Sequence, residues 1–152
     1  MHTEEAKGVH ELEVFDTFIE RSGIPVIKDS IEKRPAGEPD ILCNCTGLGA
    51  VAFELARICD PDLAALLDQR EPQNAKFIWT SDPSLEILKK KRSRSYKTDH
   101  PIELLLYTDG RVVTPDDDIV PTIKPYLECN SGPYRRVWFM GETTVECVYE
   151  AS

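Results

Sequence analysis

An α/β domain built on a mixed sheet is predicted by three features of the 152-residue chain. Apolar residues recur at helical spacing near the start, two apolar segments flank a pair of close glycines, and strand-like and helix-like runs alternate from residue 84 onward. A hydrophobic content of 41% over this length supports one domain, residues 1–152, with its own core.

The first element is a helix over residues 3–21, in which Leu12, Phe15 and Ile19 fall on one stripe with Phe18 beside them. Thr3 is its candidate cap and Gly23 its stop, and Glu4 and Glu5 suit the positive end of the helix dipole. Glu11 lies at the upstream end of the apolar stripe, three and four residues before Val14 and Phe15. Ile24-Pro25-Val26-Ile27 reads as a short extended segment, and the polar stretch through Arg34 and Pro35 reads as loop.

Two strands follow, one opened by Pro39-Asp40 and the other carrying Glu54, with Gly47 and Gly49 marking the turn between them. Hairpin pairing would bring Asp40 and Glu54 together. A carboxylate inside the apolar run from Val51 to Leu55 is costly to bury without a cation, a strong donor or water.

Residues 61–70 carry Leu63, Leu66 and Leu67 at helical spacing, Glu71-Pro72-Gln73-Asn74 breaks that helix, and Phe77-Ile78-Trp79 is a short apolar run. Residues 84–97 form the clearest later helix, with Leu85, Leu88, Arg92 and Tyr96 along one face and Lys90, Arg94 and Lys97 along another. Six of the nine residues from Lys89 to Lys97 are basic, a local positive island in a chain of net charge −9. Residues 102–107 are a leucine-rich strand closed by Asp109-Gly110, with Val112-Val113 as a candidate return strand. Pro115 and Asp116 to Asp118 start a helix that runs to Cys129 and is interrupted by Pro121 and Pro125. Residues 135–140 and 145–149 pair as a terminal hairpin.

Charge and cysteine usage narrow the function classes. The net charge of −9 opposes a protein that coats nucleic acid, so any such contact falls to the basic helix. Five cysteines, an odd number, and no leader with a basic end and apolar core point to a reducing cytoplasm. Cys43-Asn44-Cys45 has one residue between its thiols, too few for the usual structural zinc pair. No apolar run approaches the roughly 20 residues that span a bilayer, so a soluble protein is expected. His2, His10 and His100 form no catalytic motif with a serine or cysteine.

A helix bearing Glu11, a loop, a strand opened by Pro39-Asp40, a turn, and a strand carrying Glu54 together resemble the PD-(D/E)XK nuclease-like superfamily, which includes restriction endonucleases and archaeal Holliday-junction resolvases. In that family a Pro-Asp opens one strand, an acid-X-Lys triplet lies on the next, and an upstream helix often adds a Glu. Asp40 and Glu54 match the acids by type and order, and Glu11 matches the helical acid by its place before Val14, Phe15 and Phe18. The resemblance covers residues 11–55 closely and the remainder in outline. It implies a restriction endonuclease-like fold, a mixed β-sheet flanked by helices with an α-β-β-α-β core. It further implies Mg²⁺ or Mn²⁺ on Asp40 and Glu54, with Glu11 as the third catalytic acid and Lys90, Arg94 and Lys97 as phosphate contacts.

The triplet here is Glu54-Leu55-Ala56, so an alanine stands where the family has its lysine. Arg57 is three positions from Glu54, and strand alternation sends it to the opposite face. Lys90, Arg94 or Lys97 is then the candidate source of a migrated positive charge. Two functions follow: a metal-dependent phosphodiester hydrolase, or a non-catalytic module on the same fold that engages protein or nucleic acid. For the second, Tyr134, Trp138 and Phe139 are candidate anchors. A third reading is an unrelated α/β domain in which Glu54 pairs with Arg57 or Arg135.

Overall fold

The computed structural model describes residues 4–60 and 82–152. Helix α1 (Glu4–Ser22) precedes a 3-10 turn at Lys28–Ser30 and strands β1 (Glu32–Lys33), β2 (Ile41–Cys45) and β3 (Gly49–Arg57). After these come α2 (Ser84–Arg92), β4 (Ile102–Tyr107), α3 (Asp116–Cys129), β5 (Tyr134–Met140) and β6 (Val145–Glu150). The strands form one mixed sheet in the order β1-β2-β3-β4-β5-β6. The pairs β3/β4 and β4/β5 are parallel, while β1/β2, β2/β3 and β5/β6 are antiparallel. The expected α/β class is the observed one. The candidate cap Thr3, the helix expected at 61–70, its break at Glu71 to Asn74, and the run Phe77 to Trp79 lie outside the described residues.

Alternation along the strands separates two apolar layers. Val51, Phe53, Leu55, Leu105 and Tyr107 face α1 through Phe15, Phe18 and Ile19. Ala52, Ala56, Leu104 and Leu106 point the other way, towards Leu88 of α2 and Ile119, Ile123 and Leu127 of α3. The sheet is therefore covered on both faces, which explains why β4 is buried along its whole length. The expected return strand at Val112-Val113 does not form, because both edges of β4 are taken by β3 and β5. The chain leaves β4 through α3 and reaches its next neighbour, β5, as a parallel crossover.

The β2–β3 turn follows the glycine signal, since Gly47 and Gly49 have φ of 83° and 81°, values that side-chain-bearing residues adopt only with strain. The terminal hairpin forms as expected. In α3 the helix starts at Asp116, and Pro121 and Pro125 lie within it. Both prolines and the Asp117 residue one turn earlier are exposed, so the carbonyls deprived of helical partners can be hydrated and the helix continues.

Helix α2 ends earlier than its sequence periodicity suggests, at Arg92 rather than residue 97. Tyr96 turns back onto the sheet and the Lys97 amide donates to the Gly37 carbonyl at 2.8 Å, bonds that compete with another helical turn. Tyr134 and Phe139 are core residues, 4% and 0% exposed, and Trp138 packs edge-on against Phe18. They do not form an exposed anchor patch. Among the described residues, no helix is long and apolar enough to cross a membrane.

Candidate active site

The β2–β3 register creates the central pair. Ile41 is opposite Phe53, so one further step places Asp40 opposite Glu54, just beyond the last ladder pair. Strand β3 runs on to Arg57, and its amides there need partners other than β2. The Asp40 carboxylate supplies one, as Oδ2 accepts the Leu55 amide at 2.9 Å. In return Glu54 Oε1 accepts the Asp40 amide at 3.2 Å. Each acid thus closes the strand end that carries the other.

Two lysines complete the cluster. Lys91 of α2 donates from Nζ to Glu54 Oε2 at 2.8 Å, and Arg94 Nη1 approaches the same oxygen at 3.6 Å. Lys33, the last β1 residue paired with β2, places Nζ 3.0 Å from Glu11 Oε1 and 3.5 Å from Asp40 Oδ1. It also donates to the Asp40 carbonyl at 3.3 Å. Lys33 therefore bridges the acid from α1 to the acid from the hairpin. The Tyr96 hydroxyl donates to Glu54 Oε2 at 3.1 Å and lies 2.6 Å from the Tyr134 hydroxyl, which donates to the Lys91 carbonyl at 3.0 Å. These tyrosines tie the carboxylate, the end of α2 and β5 together. Burial raises the pKa of both, so they remain neutral donors.

The expected acids Glu11, Asp40 and Glu54 are thus brought to one site. Of the expected phosphate contacts, Arg94 meets Glu54, while Lys90 lines an adjoining cavity. Lys97 lies along Gly37, its side chain within reach of a Cβ placed there. Lys91 was missed in favour of its neighbours, although a signal was present. Ser84, Leu88 and Lys91 follow at intervals of four and three, and Ser84 and Leu88 are buried, so Lys91 continues the face that α2 turns to the sheet. Lys33 had no such signal, because a two-residue strand has no periodicity to read. Glu54 pairs with neither Arg57 nor Arg135. Arg57 donates to Asp109, and Arg135 donates to the buried Glu103.

Burial and the negative charge of Asp40 push the Glu54 carboxyl above its ordinary 4.5, outweighing Lys91. Burial and Asp40 likewise raise Glu11, against the pull of Lys33. Burial alone would raise Asp40, but the Leu55 amide, Glu54 and Lys33 outweigh it and hold the carboxyl below its ordinary 3.8. Burial would lower Lys33, yet Glu11 and Asp40 raise it above 10.5.

The signs give separate pH windows. Just above pH 4.5 the folded chain holds protons on Glu11 and Glu54 that the unfolded chain has released, so their contribution to stability falls as pH rises. The Asp40 contribution is present above pH 3.8 and is lost as pH falls through its lowered folded value. The Lys33 contribution is present below pH 10.5 and is lost as pH rises through its raised value. Urea unfolding of the wild type and of Glu11→Gln plus Glu54→Gln across the acid range checks the first window. The double variant is expected to flatten the decline above pH 4.5, and parallel curves there would contradict the assignment.

Among the described residues, no three His, Cys, Asp or Glu side chains are grouped so as to hold a metal ion. The acid cluster still fits Mg²⁺ or Mn²⁺ in donor chemistry, since it offers carboxylate oxygens, the hard ligands those ions take. A divalent ion on Asp40 and Glu54 would compete with the Lys33 ammonium for Asp40 Oδ1.

Comparison with family models finds no matching family, and comparison with curated proteins and with solved structures finds no significant match.

Proposed function

We propose that this protein is a metal-dependent phosphodiester hydrolase of the PD-(D/E)XK kind, with Lys91 taking the place that Ala56 leaves without a lysine. The observation that carries this reading is the 2.8 Å contact between Lys91 Nζ and Glu54 Oε2, beside Asp40. Ala56 is buried among Ala52, Leu104 and Leu106, the layer that packs against α2, so the helix brings its lysine to the face where the strand lacks one.

Asp40 and Glu54 would hold Mg²⁺ or Mn²⁺, which when bound polarises the scissile phosphate and lowers the pKa of water. Lys91 would orient the nucleophile and offset charge developing on the phosphate. Glu11, with its raised carboxyl, would accept a hydrogen bond from a water at the site and take up its proton. Lys33 lets Glu11 and Asp40 lie close together by neutralising part of their charge. Arg94 would contact phosphate through its planar guanidinium.

Calorimetric titration of Mn²⁺ into the wild type and into Asp40→Ala plus Glu54→Ala tests the metal site directly. Binding is expected in the wild type and absent in the double variant. Cleavage of single-stranded, duplex and branched substrates with Mn²⁺ then tests activity, with Asp40→Ala as the control for contaminating nuclease. Equal heats from both proteins, with no Mn²⁺-dependent cleavage, would refute the hydrolase reading.

A specific observation favours a second reading. Lys33 and Lys91 engage the three acids, and an acid cluster answered by the chain's own cations is also consistent with a non-catalytic module. Such a module would engage nucleic acid through Lys90 and Arg94, or a protein partner. With the aromatics in the core, the basic rim is the better docking surface of the two.

A further inference from the structure

We infer that the occupant of this site is a single polynucleotide strand, laid across the acids from one cavity into another; the inference rests on the phosphodiester-hydrolase reading. Two cavities, of about 880 and 840 Å³, meet at the acid cluster. Both are lined by Lys7, Glu11, Asp40, Glu54 and Arg94. Lys33 and Arg34 line the first, where Lys33 pairs with Glu11 and Asp40 and Arg34 with Glu32 and Glu38; Arg57, Lys90 and Lys91 line the second, where Arg57 pairs with Asp109 and Lys91 with Glu54. Basic side chains therefore stand on either side of the acidic centre, with Glu5 and Glu38 among them in the first cavity and Asp109 in the second. A chain of phosphates could be gripped on both sides while one phosphodiester lies over the acids.

Size and recess select a strand over a duplex. Each cavity falls in the roughly 300–1,000 Å³ range of small-ligand sites, room for nucleotides and too little for a double helix. The acids lie at the bottom, since the side chains of Glu11, Glu54 and Asp40 are only 7%, 4% and 20% exposed. A duplex is stiff, and bending it by 40–90° over a short site costs on the order of 1–6 kcal/mol. A single strand can dip one phosphate into the recess with little penalty, as strand-binding grooves in general require. Charge acts in the same direction. A duplex presents a phosphate about every 1.7 Å along its axis, twice the density of a strand, and meets more of a protein surface whose net charge is −9.

The test is fluorescence anisotropy without added divalent metal, using a labelled thymidine oligonucleotide of about 12 nucleotides, within the usual span of strand-binding sites. The same oligonucleotide annealed to its complement is the duplex probe, and the variant is Lys7→Glu plus Lys90→Glu. Lys7 and Lys90 are exposed side chains, so the variant should keep the wild-type melting temperature. The wild type is expected to bind the strand at least tenfold more tightly than the duplex, and the variant to lose about tenfold in strand affinity with a shallower salt dependence. Duplex binding as tight as strand binding, no binding of either, or a variant that binds the strand like the wild type would each overturn the inference. Cleavage with Mn²⁺ is scored separately. Strand preference without cleavage removes the hydrolase reading and leaves the occupant, whereas cleavage of duplex alone does the reverse.

Discussion

Lys91→Met is expected to reduce phosphodiester cleavage by about 10²–10³-fold, the usual loss when one preorganised donor is removed from a transition state. The substitution keeps the length and apolar stem of a side chain that is 15% exposed, so α2 retains its packing through Leu88. Glu54 keeps the Asp40 amide, the Tyr96 hydroxyl and Arg94. A fold failure and a chemical failure are therefore separable by melting temperature and by Mn²⁺ calorimetry. Lys91→Arg discriminates further. It restores the positive charge but not the compact ammonium, so partial rescue assigns Lys91 to charge stabilisation and no rescue assigns it to holding the nucleophile in place. Unchanged cleavage in Lys91→Met would remove Lys91 from the reaction.

The second large effect concerns stability at the start of α3. Asp116→Ala is expected to destabilise the fold by about 3 kcal/mol, the scale of several lost hydrogen bonds to one charged, buried acceptor. Asp116 is 7% exposed, and its carboxylate accepts the amides of Glu142, Thr143 and Thr144 and the Thr143 hydroxyl. It holds the β5–β6 turn while sitting in the first turn of α3, where the dipole favours an acid. Gly141 permits that approach, because a Cβ there would fall 2.1 Å from Asp116 Oδ1. Urea unfolding measures the loss. A change below about 1 kcal/mol would mean that the hairpin's own pairing holds the turn.

Asp116 also shows how far residue patterns reach. An acid after Pro115 reads correctly as a helix start from local chemistry alone. That it closes a turn some 26 residues later, through Glu142 and its neighbours, depends on how α3 lies against the terminal hairpin. No local pattern contains that information. The same division holds at the acid cluster. Two strands about a glycine turn fix an antiparallel register, and register alone brings Asp40 to Glu54. Glu11 belongs to a helix whose apolar stripe is plain in the chain, and packing that stripe on the sheet delivers the carboxylate.

What the sequence by itself determined was the α/β class, the hairpin that pairs two carboxylates, the helix that brings a third, and an alanine rather than a lysine two residues after Glu54. These depend on periodicity and nearest-neighbour pairing, which act over a few residues. What only the tertiary structure decided was which cations answer those acids. Side chains on α2 are about 100° apart per residue, so Lys90 and Lys91 point to different surroundings, and only the docking of Leu88 against the sheet selects between them. Lys33 enters through a two-residue edge strand and Tyr96 through a loop, both placed by contacts with residues distant in the chain. Buried charge is costly without a partner, so the acids' need for cations could be foreseen, but their identity was set by the packing of separate elements.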